Sequence, residues 1–406
     1  MRNPKIRFFQ SSGVPFKDWK TSQIKDVCSI SKEVINPKDF PSRTFVEYSM
    51  PAFDNNQTPY LRKGNELDSL RLSIRGDVIL FNKLNIKKKR IWNVKNPENN
   101  SLCSAEFLPL TSGIHCQDFI FYYLSTSKFT CKLNTKSSGT SNSQKRIRPE
   151  DLENEEIAIP CLEEQQKIAS FFSTLDQKIE LNERKLEFLE KLKKGLMQKI
   201  FNQEIRFKSK SGKNFPNWIK KPLHSVIASS GGHTPNMKNK ALWEPGEYFW
   251  VTPKDMKSEY VFSSEMKISE LGLKELKLHE PGTILLVARS GVLKHTLPLA
   301  FLRIQATINQ DLKAISVTDE IISGYLFFFL QSKSNLILNN YVKTGTTVQS
   351  IMMNDFYAMM VDIPCLEEQR QIAATLFIFN EKIGIMTQKI AILKQLKQGF
   401  MQQMFV

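Results

Sequence analysis

Two stretches of the chain carry apolar residues at alternating intervals of four and three, which is the spacing of a coiled-coil seam. In the first stretch the apolar seam positions include Ile168, Phe172, Leu175, Ile179, Leu186, Leu189 and Leu196. In the second they include Ile372, Leu376, Phe379, Ile383, Ile390, Leu393 and Phe400. Charged and amide residues fill most of the remaining positions. The pattern therefore predicts one long amphipathic helix in each stretch.

Both seams are interrupted by a lysine at the same place, Lys193 in the first and Lys397 in the second. Leu192 and Leu396 stand beside these lysines, and a local change of phase would let them take over the seam. Asn182 is a polar seam residue with no polar counterpart in the second stretch. It either helps to fix the register or lies on a solvated helix edge.

The two stretches belong to a repeat, because residues 159–201 recur without a gap 204 positions later, at 363–405. Nineteen of the 43 aligned positions are identical, and both copies begin Ile-Pro-Cys-Leu-Glu-Glu-Gln. The proline can end a preceding strand, and the two glutamates suit a helix N-terminus. A repeat of this length is far longer than the roughly 20–50 residues of a solenoid unit. It indicates a duplicated domain-plus-helix module and pseudo-two-fold symmetry within one chain.

The two stretches outside the helices are also related, though more weakly. Arg75–Leu80 parallels Pro281–Leu286, Phe121–Leu124 parallels Phe327–Leu330, and Gly139-Thr140 parallels Gly345-Thr346. Short β-rich runs alternate with polar loops, and one apolar helix lies near the end of each stretch. We therefore predict an α+β fold with two pseudo-symmetric mixed α/β domains, separated by two long antiparallel coiled-coil helices. The predicted ranges are 1–155 for the first domain, 156–204 for the central helix, 205–358 for the second domain and 359–406 for the C-terminal helix.

Connectivity sets the expected direction of the helices. The second domain must return the chain from the end of the first helix to the start of the second, so we expect the helices to be antiparallel with a domain at each end. A helix over 163–201 would be about 58 Å long at ~1.5 Å per residue.

The chain is strongly basic, with a formal net charge of +16 and a pI near 9.4. This charge favours a polyanionic partner, with nucleic acid ahead of an anionic membrane, although solubility alone is an alternative. No apolar run approaches the ~20 residues that a membrane span needs. The N-terminus also lacks a signal-peptide pattern, and the six cysteines lack Cys-x-x-Cys spacing, so we expect a cytoplasmic protein with reduced thiols.

Several polar loops have the residue types that contact nucleic acid. Lysine and arginine bind phosphate, asparagine can read an adenine edge, arginine can read guanine, and tryptophan can pack on a sugar or base. In the first domain the candidates are Asn82, Lys83, Lys87, Lys88, Lys89, Arg90, Trp92, Lys145 and Arg146. In the second domain they are His233, Thr234, Thr252, Lys254, Arg289, Ser290, Lys294 and His295. Each loop is equally compatible with a structural turn or a solvated hairpin tip.

No motif for catalysis accompanies these loops. The chain has no phosphate-binding Gly-x-x-x-x-Gly-Lys-Ser/Thr loop, no dinucleotide fingerprint and no His-Glu-x-x-His zinc helix. Its five histidines are scattered, and no carboxylate pair is singled out as a general acid and base. We therefore expect a chain that binds no metal or cofactor and is not itself an enzyme, while a site assembled from distant residues stays open.

Together these features resemble the specificity (S) subunit of a Type I restriction–modification system. The resemblance covers essentially the whole chain and rests on both Ile-Pro-Cys-Leu-Glu-Glu-Gln segments. It rests also on the Gly231–Pro235 turn, the Trp250–Asp255 segment, Gly282–Leu285 and Thr307–Asp311. Asn309 and Gln310 of the last segment join the DNA-binding candidates on this basis. The first domain has no clear counterpart of the Asn-Gln-Asp segment.

The resemblance implies two target-recognition domains, each of which reads one half of a bipartite site in double-stranded DNA. It also implies that the helix pair sets the spacer between the half-sites and docks two methyltransferase (M) subunits. Two motor–nuclease (R) subunits would complete the complex. Adenine methylation and ATP-dependent cleavage, with S-adenosylmethionine, ATP and magnesium, would then lie on those partners. The alternative is a free-standing sequence-specific DNA-binding or architectural protein without M or R partners.

Overall fold

The computed structural model describes residues 4–138, 145–343 and 348–406, which form two compact units. The first unit comprises Met1–Arg184 with Gln388–Val406, and the second comprises Lys185–Thr387. The Gly-Thr pairs at 139–140 and 345–346, parallel in the sequence, lie outside the described residues.

The first unit is a mixed α/β structure. Its strands are β1 (Lys20–Gln23), β2 (Cys28–Ile30), β3 (Val34–Ile35), β4 (Thr44–Tyr48), β5 (Tyr60–Lys63), β6 (Arg71–Ser73), β7 (Val78–Asn82), β8 (Ile91–Val94), β9 (Ser101–Ser104), β10 (Phe107–Ser112) and β11 (Glu156–Ile159). Its shorter helices are α1 (Ile24–Val27), α2 (Met50–Asp54), α3 (Gln117–Ser125), α4 (Ser127–Asn134) and α5 (Pro149–Glu153). The long helix α6 (Leu162–Phe201) begins in this unit.

Three sheets organise these strands within the described residues. An antiparallel sheet has the order β2-β10-β7-β8, and a second has the order β3-β6-β9-β4-β5 with β4 and β9 parallel. The third is the antiparallel pair β1-β11, in which Lys20 faces Ile159. This pair ties the start of the domain to the strand that leads into α6.

The second unit has the same class of structure. Its strands are β12 (Ile219–Pro222), β13 (Ile227–Gly231), β14 (Tyr248–Val251), β15 (Tyr260–Val261), β16 (Met266–Ile268), β17 (Ile284–Val287), β18 (Arg289–Ser290), β19 (Leu299–Leu302), β20 (Ala306–Ile308), β21 (Leu312–Val317), β22 (Val342–Lys343), β23 (Gln349–Ile351) and β24 (Met360–Ile363). Its helices are α7 (Glu270–Leu273), α8 (Ser323–Ser332), α9 (Ser334–Tyr341), α10 (Met353–Ala358) and the start of α11 (Leu366–Met404).

The sheets of the second unit partly mirror those of the first. A five-stranded sheet runs β13-β21-β17-β19-β15, and two three-stranded sheets run β16-β14-β20 and β18-β23-β22. The antiparallel pair β12-β24, in which Ile219 faces Ile363, leads into α11 as β1-β11 leads into α6. The predicted mixed α/β fold with a long helix after each domain is confirmed.

Aromatic rings join the long helices to the apolar helix of each unit. In the first unit Phe172 of α6 stacks on Phe405, the residue that follows α11, with ring centroids 5.6 Å apart, and Phe405 also contacts Phe119 of α3. In the second unit Phe201 of α6 lies 5.6 Å from Tyr325 and 5.7 Å from Phe329 of α8. Burying each such ring contributes about 1.5–3 kcal/mol. These contacts explain why the sequence has an apolar helix near the end of each domain.

The contacts within the first unit establish that α6 and α11 run antiparallel there. Phe172 contacts Phe405, Asp176 pairs with Lys397 at 2.5 Å, and Glu183 pairs with Lys394 at 2.7 Å. As the residue number rises along α6, that of its partner on α11 falls. None of the predicted seam residues of either helix is exposed. Asn182 is buried rather than on a solvated edge, and its amide donates to the Lys178 carbonyl of its own helix.

The seam break at the two lysines differs from the predicted change of phase. Leu192 and Leu396 are 45% and 48% exposed, so they do not take over the seam. Lys193 and Lys397 stay partly buried because each meets a carboxylate, Lys193 at Glu259 (2.9 Å) and Lys397 at Asp176 (2.5 Å). The ammonium of each also lies 5.6 Å from an aromatic centroid, Phe328 and Tyr122 respectively. A paired cation can therefore occupy a seam position without a compensating leucine.

The Glu-Glu-Gln segment fixes each long helix to its own domain. In the first unit Glu164 is fully buried and accepts from Arg7, Nε to Oε1 at 3.0 Å and Nη2 to Oε2 at 2.8 Å. The Trp19 indole also donates to Glu164 Oε2, at 3.2 Å. Gln165 accepts from the backbone N–H of Cys116 at 2.9 Å and donates to the Pro160 carbonyl at 2.9 Å. Cys116 is the residue before α3, so this glutamine links the starts of two helices.

Candidate nucleic-acid interface

In the second unit two of the predicted loops meet at one edge of the five-stranded sheet. The Gly231–Thr234 segment begins at the last residue of β13, and the Asn309–Asp311 turn precedes β21. These two strands pair with each other, with Gly231 opposite Lys313. The Thr234 hydroxyl donates to Gln310 Oε1 at 2.6 Å. Gln310 is exposed. This pairing therefore presents an exposed amide from a turn held at both ends by β-structure.

Gly232 allows the two segments to approach each other. A Cβ atom at this position would lie 1.7 Å from the Ile308 carbonyl oxygen, so only glycine fits. The neighbouring Gly231 is different, because a Cβ there would meet only the flexible Lys313 side chain, 2.8 Å from Nζ. Glycine is therefore required at 232 by packing within the chain.

Arg289 is held at its Nε by the same turn. Its Nε donates to Asp311 Oδ1 at 2.8 Å, while 57% of its side chain is exposed. Within the described part of the chain its two terminal nitrogens make no hydrogen bond. A guanidinium fixed in this way presents its outer fork to solvent, which is the geometry needed for bidentate contact with a guanine edge.

Asn309 is a buried residue of the turn rather than a surface contact. It is 6% exposed, its Oδ1 accepts from the Asp311 N–H at 3.1 Å, and its Nδ2 donates to Asp311 Oδ2 at 3.2 Å. Its amide is occupied in orienting Asp311. Asp311 in turn orients Arg289.

The Trp250–Asp255 segment lies beside this turn. The Asn309 N–H donates to the Val251 carbonyl at 3.0 Å, and the Trp250 indole donates to the His233 carbonyl at 3.2 Å. Thr252 donates twice to Asp255 Oδ2, from its N–H and from its hydroxyl, both at 2.8 Å. Lys254 is exposed on the short 3-10 turn that follows.

The remaining candidates of the second unit are the last residue of β18 and two residues that follow it. Ser290 accepts from the Val292 N–H at 3.4 Å and so caps a 3-10 turn, Gly291–Lys294. Lys294 and His295 are exposed at the end of this turn. Among the described residues, no hydrogen bond or ion pair joins either side chain to Arg289, Gln310 or Thr234.

In the first unit the structure brings together the two predicted basic segments. The Asn85 N–H donates to the Lys145 carbonyl at 2.8 Å, and the Ile147 N–H donates to the Lys83 carbonyl at 3.2 Å. A β-bridge between Leu84 and Arg146 completes the contact. Lys87, Lys88 and Lys89 are exposed on the adjoining 3-10 turn, Ile86–Lys88, and its C-cap. These cations therefore form one surface rather than two.

Two candidates of this surface are interior residues, which corrects their predicted position. Asn82 is 3% exposed and its Oδ1 accepts from the Leu84 N–H at 2.8 Å. Trp92 is 5% exposed and packs edge-on against Tyr48, with centroids 4.8 Å apart. Along β8 the side chains alternate between the two faces of the sheet, and Trp92 points to a buried face.

Two of the arginines are already paired with carboxylates. Arg90 binds Asp54, with Nη2 2.5 Å from Oδ2, and this hydrogen bond lowers the pKa of the Asp54 carboxyl. Arg146 Nη2 lies 2.7 Å from Glu106 Oε1, although 58% of the Arg146 side chain is exposed. Arg90 therefore contributes little free positive charge to this surface.

Other chemistry finds little support in the described part of the chain. It contains no cluster of histidine, cysteine, aspartate and glutamate that could hold a metal ion, and none of its helices is long and apolar enough to cross a membrane. Burial raises the pKa of Cys28 and of Cys103 to about 12, so neither thiol is an activated nucleophile near neutral pH.

Sequence reasoning missed the acidic residues that orient the basic ones. Asp311 and Asp255 each fix a neighbouring candidate, Arg289 and Thr252. The sequence did contain a signal for this role, namely an acidic residue within a basic loop. An arginine that is held in one orientation commonly has a carboxylate partner. Lys128, which lies near Lys89 at the start of α4, carried no sequence pattern of its own.

Comparison with known proteins gives consistent results. The model of the Type I restriction modification DNA specificity domain matches residues 16–191 and again 216–395. The Escherichia coli Type I restriction enzyme EcoR124I/EcoR124II specificity subunit is 26% identical over 367 residues, covering 88% of this chain and 85% of that protein. The Methanocaldococcus jannaschii MjaIX specificity subunit is 29% identical over 218 residues, covering 51% of this chain and 48% of that protein.

Solved structures agree on the fold. The S subunit of a Type I restriction–modification system from M. genitalium superposes with a TM-score of 0.63 at 14% identity, covering 100% of this chain and 99% of that one. A chain from a study of assembly and conformational transition of the type I R-M system has a TM-score of 0.58 at 21% identity, covering 95% and 98%. The alternative of a free-standing DNA-binding protein gains no support. Because the family model matches both halves of the duplicated sequence, this chain belongs to the DNA specificity subunits of Type I restriction–modification systems.

Proposed function

We propose that each unit reads one half of a bipartite site in double-stranded DNA. The observation that carries this proposal is the contrast between scaffold and loops in the two units. Both units have the same Arg–Trp–Glu anchor and the same strand pair before a long helix, but their exposed polar residues differ. A duplicated scaffold with divergent loops suits two readers of different base sequences.

In the second unit we assign base readout to Arg289 and Gln310. The fork of Arg289 matches guanine O6 and N7, and the amide of Gln310 matches adenine N6 and N7. Phosphate or sugar contacts around these two residues would come from the other candidates of this unit, namely Lys254, Lys294, Thr234, His233, Thr252, Ser290 and His295. In the first unit the phosphate backbone would be bound by six cations, namely Lys83, Lys87, Lys88, Lys89, Lys145 and Arg146. Three buried candidates would stabilise the loops by packing and hydrogen bonds, namely Asn82, Trp92 and Asn309. Arg90 would stabilise its loop through its ion pair with Asp54.

Two exposed apolar patches support docking of two M subunits on the long helices. In the first unit Leu181, Ile392 and Leu396 are 67%, 56% and 48% exposed. Ile385, Phe188 and Leu192 occupy the repeat-equivalent positions of the second unit and are 58%, 63% and 45% exposed. Exposed apolar residues at helical spacing on a coiled coil favour a further helix as partner. Two equivalent patches favour two copies of one partner.

Membership of the family supports a proposal for the rest of the assembly. We propose that the helix pair sets the spacer between the half-sites and that two R subunits join the two M subunits in the full complex. S-adenosylmethionine, ATP and magnesium would then serve the partners, and this chain would be non-catalytic by itself. The complex would act on DNA in the prokaryotic cytoplasm.

Coexpression with the methyltransferase gene tests the proposal. The chain and its M subunit are produced in a host without adenine methylation, and the genome is sequenced with detection of methylated adenine. We expect one asymmetric bipartite motif, and native mass spectrometry should give two M subunits per chain. No recruited partner together with no site-specific methylation would refute the proposal.

Exchange of one domain provides the matched control. Replacing 205–358 with the corresponding domain of another system should change one half-site and leave the other half-site and the spacer unaltered. Replacing 1–155 should do the converse. A change in both half-sites after either exchange would contradict separate reading by the two units.

A further inference from the structure

A cavity of about 390 Å³ in the first unit is lined by lysines from three separate segments. Lys89 belongs to the basic turn, which is the 3-10 turn Ile86–Lys88 with its C-cap. Lys128 lies in the first turn of α4, and the last turns of α11 contribute Lys394 and Lys397. The N-terminus of α4 adds partial positive charge at the same place. The cavity thus joins the proposed DNA-contacting turn to the end of a helix that the sequence predicted to set the spacer and to dock M subunits, without contact to DNA.

Two of these four lysines have no carboxylate partner among the described residues. Lys397 is paired with Asp176 and Lys394 with Glu183. In the described part of the chain no carboxylate oxygen lies within 4 Å of Lys89 Nζ or Lys128 Nζ. Lys89 instead donates to the Ser127 hydroxyl at 2.8 Å, and both lysines are exposed. The cavity is therefore left with an excess of positive charge.

The repeat supplies an internal comparison for this cavity. A cavity of about 740 Å³ in the second unit is lined by Glu190, Lys193 and Lys194, the repeat equivalents of Lys394, Lys397 and Gln398. There a glutamate stands in place of Lys394, and Glu259 enters the cavity to pair with Lys193. The same scaffold therefore folds with carboxylates in this position. The excess of lysines in the first unit is not a requirement of the fold.

We propose that the cavity of the first unit binds a phosphate group of the DNA backbone next to the half-site that this unit reads. The inference rests on the proposed function, because it takes duplex DNA as the ligand of the adjoining turn. Lysine ammonium groups with a helix N-terminus form a common phosphate-binding arrangement. Gln398, which is exposed on α11 and lines the cavity, can donate a neutral hydrogen bond to the same group. The C-terminal helix would then contact DNA directly.

The test uses the complex assembled with its M subunits, bound to a duplex that carries its own methylation motif. The variant is Lys128→Gln with Lys394→Gln, since neither residue belongs to the basic turn. The matched control is Lys257→Gln with Lys194→Gln, which removes the same charge from the cavity of the second unit. The variant should reduce the slope of log affinity against log salt by about 0.9, the value for one phosphate contact, and the control should not. Equal reductions in both would overturn the proposal, since they would show only the effect of net charge.

A scan of the duplex with single methylphosphonates locates the contact. At one position beside the first half-site, the neutral substitution should weaken binding of the wild-type complex and leave the variant unaffected. Absence of any such position overturns the proposal. A second result would also overturn it: the variant binds DNA as the wild type does, while inorganic phosphate raises the Tm of the wild type but not of the variant. The cavity would then be a site for free phosphate. Failure of the wild-type complex to prefer its motif would instead refute the proposed function.

Discussion

Arg206 holds the carboxylate of Glu368 in a bidentate pair, with Nε 3.1 Å from Oε1 and Nη2 2.7 Å from Oε2. The Trp218 indole donates to Oε2 of the same carboxylate at 3.0 Å. Arg7, Trp19 and Glu164 make the equivalent contacts in the first unit. The second glutamate of each Glu-Glu-Gln segment is therefore a buried anchor that fixes the long helix to its domain.

Glu368→Gln should destabilise the second unit by about 3 kcal/mol. The variant removes the counter-charge of the partly buried Arg206 guanidinium, and breaking a buried pair costs about 3–5 kcal/mol. The free energy of unfolding measured in urea would show the loss. Glu367→Gln is the matched control, because Glu367 is exposed and its change should stay within about 0.5 kcal/mol. An equal loss in both variants would exclude an anchoring role for Glu368.

The long helices were predictable because their seam is a local pattern, and every predicted seam residue is buried or half-buried. The lysine break was not predictable from periodicity. The carboxylate that holds Lys193 comes from Glu259, in a different segment of the chain, and the one that holds Lys397 comes from the other long helix. A seam pattern carries no information about a partner that only the tertiary fold supplies.

The candidate interface was predictable in part, by residue type rather than by position. Exposed lysines such as Lys87 and Lys88 followed from a cation-rich loop, and their surface location agrees with that composition. Trp92 lies only a few residues further on but belongs to β8, where strand alternation turns its ring towards Tyr48. Composition therefore identified the loop, whereas the side that each residue faces depended on sheet pairing.

Gly232→Ala should destabilise the second unit and weaken binding to its half-site. The added Cβ would lie 1.7 Å from the Ile308 carbonyl oxygen, so the backbone segments must separate, at a cost of about 1–3 kcal/mol. Gly231→Ala is the control, since its Cβ would displace only the Lys313 side chain. Thermal unfolding and binding to the motif duplex would measure both effects. Equal behaviour of the two variants would contradict the close approach at Gly232.

Arg289→Lys should abolish discrimination for guanine at one base pair of the second half-site while leaving the salt dependence of binding unchanged. Lysine keeps the charge but lacks the planar fork, and a bidentate contact is worth about 1–3 kcal/mol of discrimination. Binding to duplexes with each base pair replaced in turn would locate the affected position. Asp311→Asn should give a similar loss at that same position, because Asp311 orients Arg289 through Nε. An unchanged base preference in Arg289→Lys would remove Arg289 from the readout.

The free energy of unfolding should fall as the pH drops below about 6.5, and His279→Gln should reduce that fall. Burial lowers the pKa of the His279 imidazole, and the charge of Lys277 lowers it further. The folded state therefore keeps His279 neutral over a range in which the unfolded chain, with an ordinary pKa near 6.5, already binds a proton. Because the unfolded state binds more protons there, stability is full above that pH and is lost below it, by at most ~1.36 kcal/mol per pH unit. Urea unfolding at intervals between pH 7.5 and 5 would measure the slope. His115, whose pKa burial also lowers, contributes to the part that remains. His295→Gln removes an exposed histidine and is the control. A slope that His279→Gln leaves unaltered would show that the His279 imidazole titrates alike in both states.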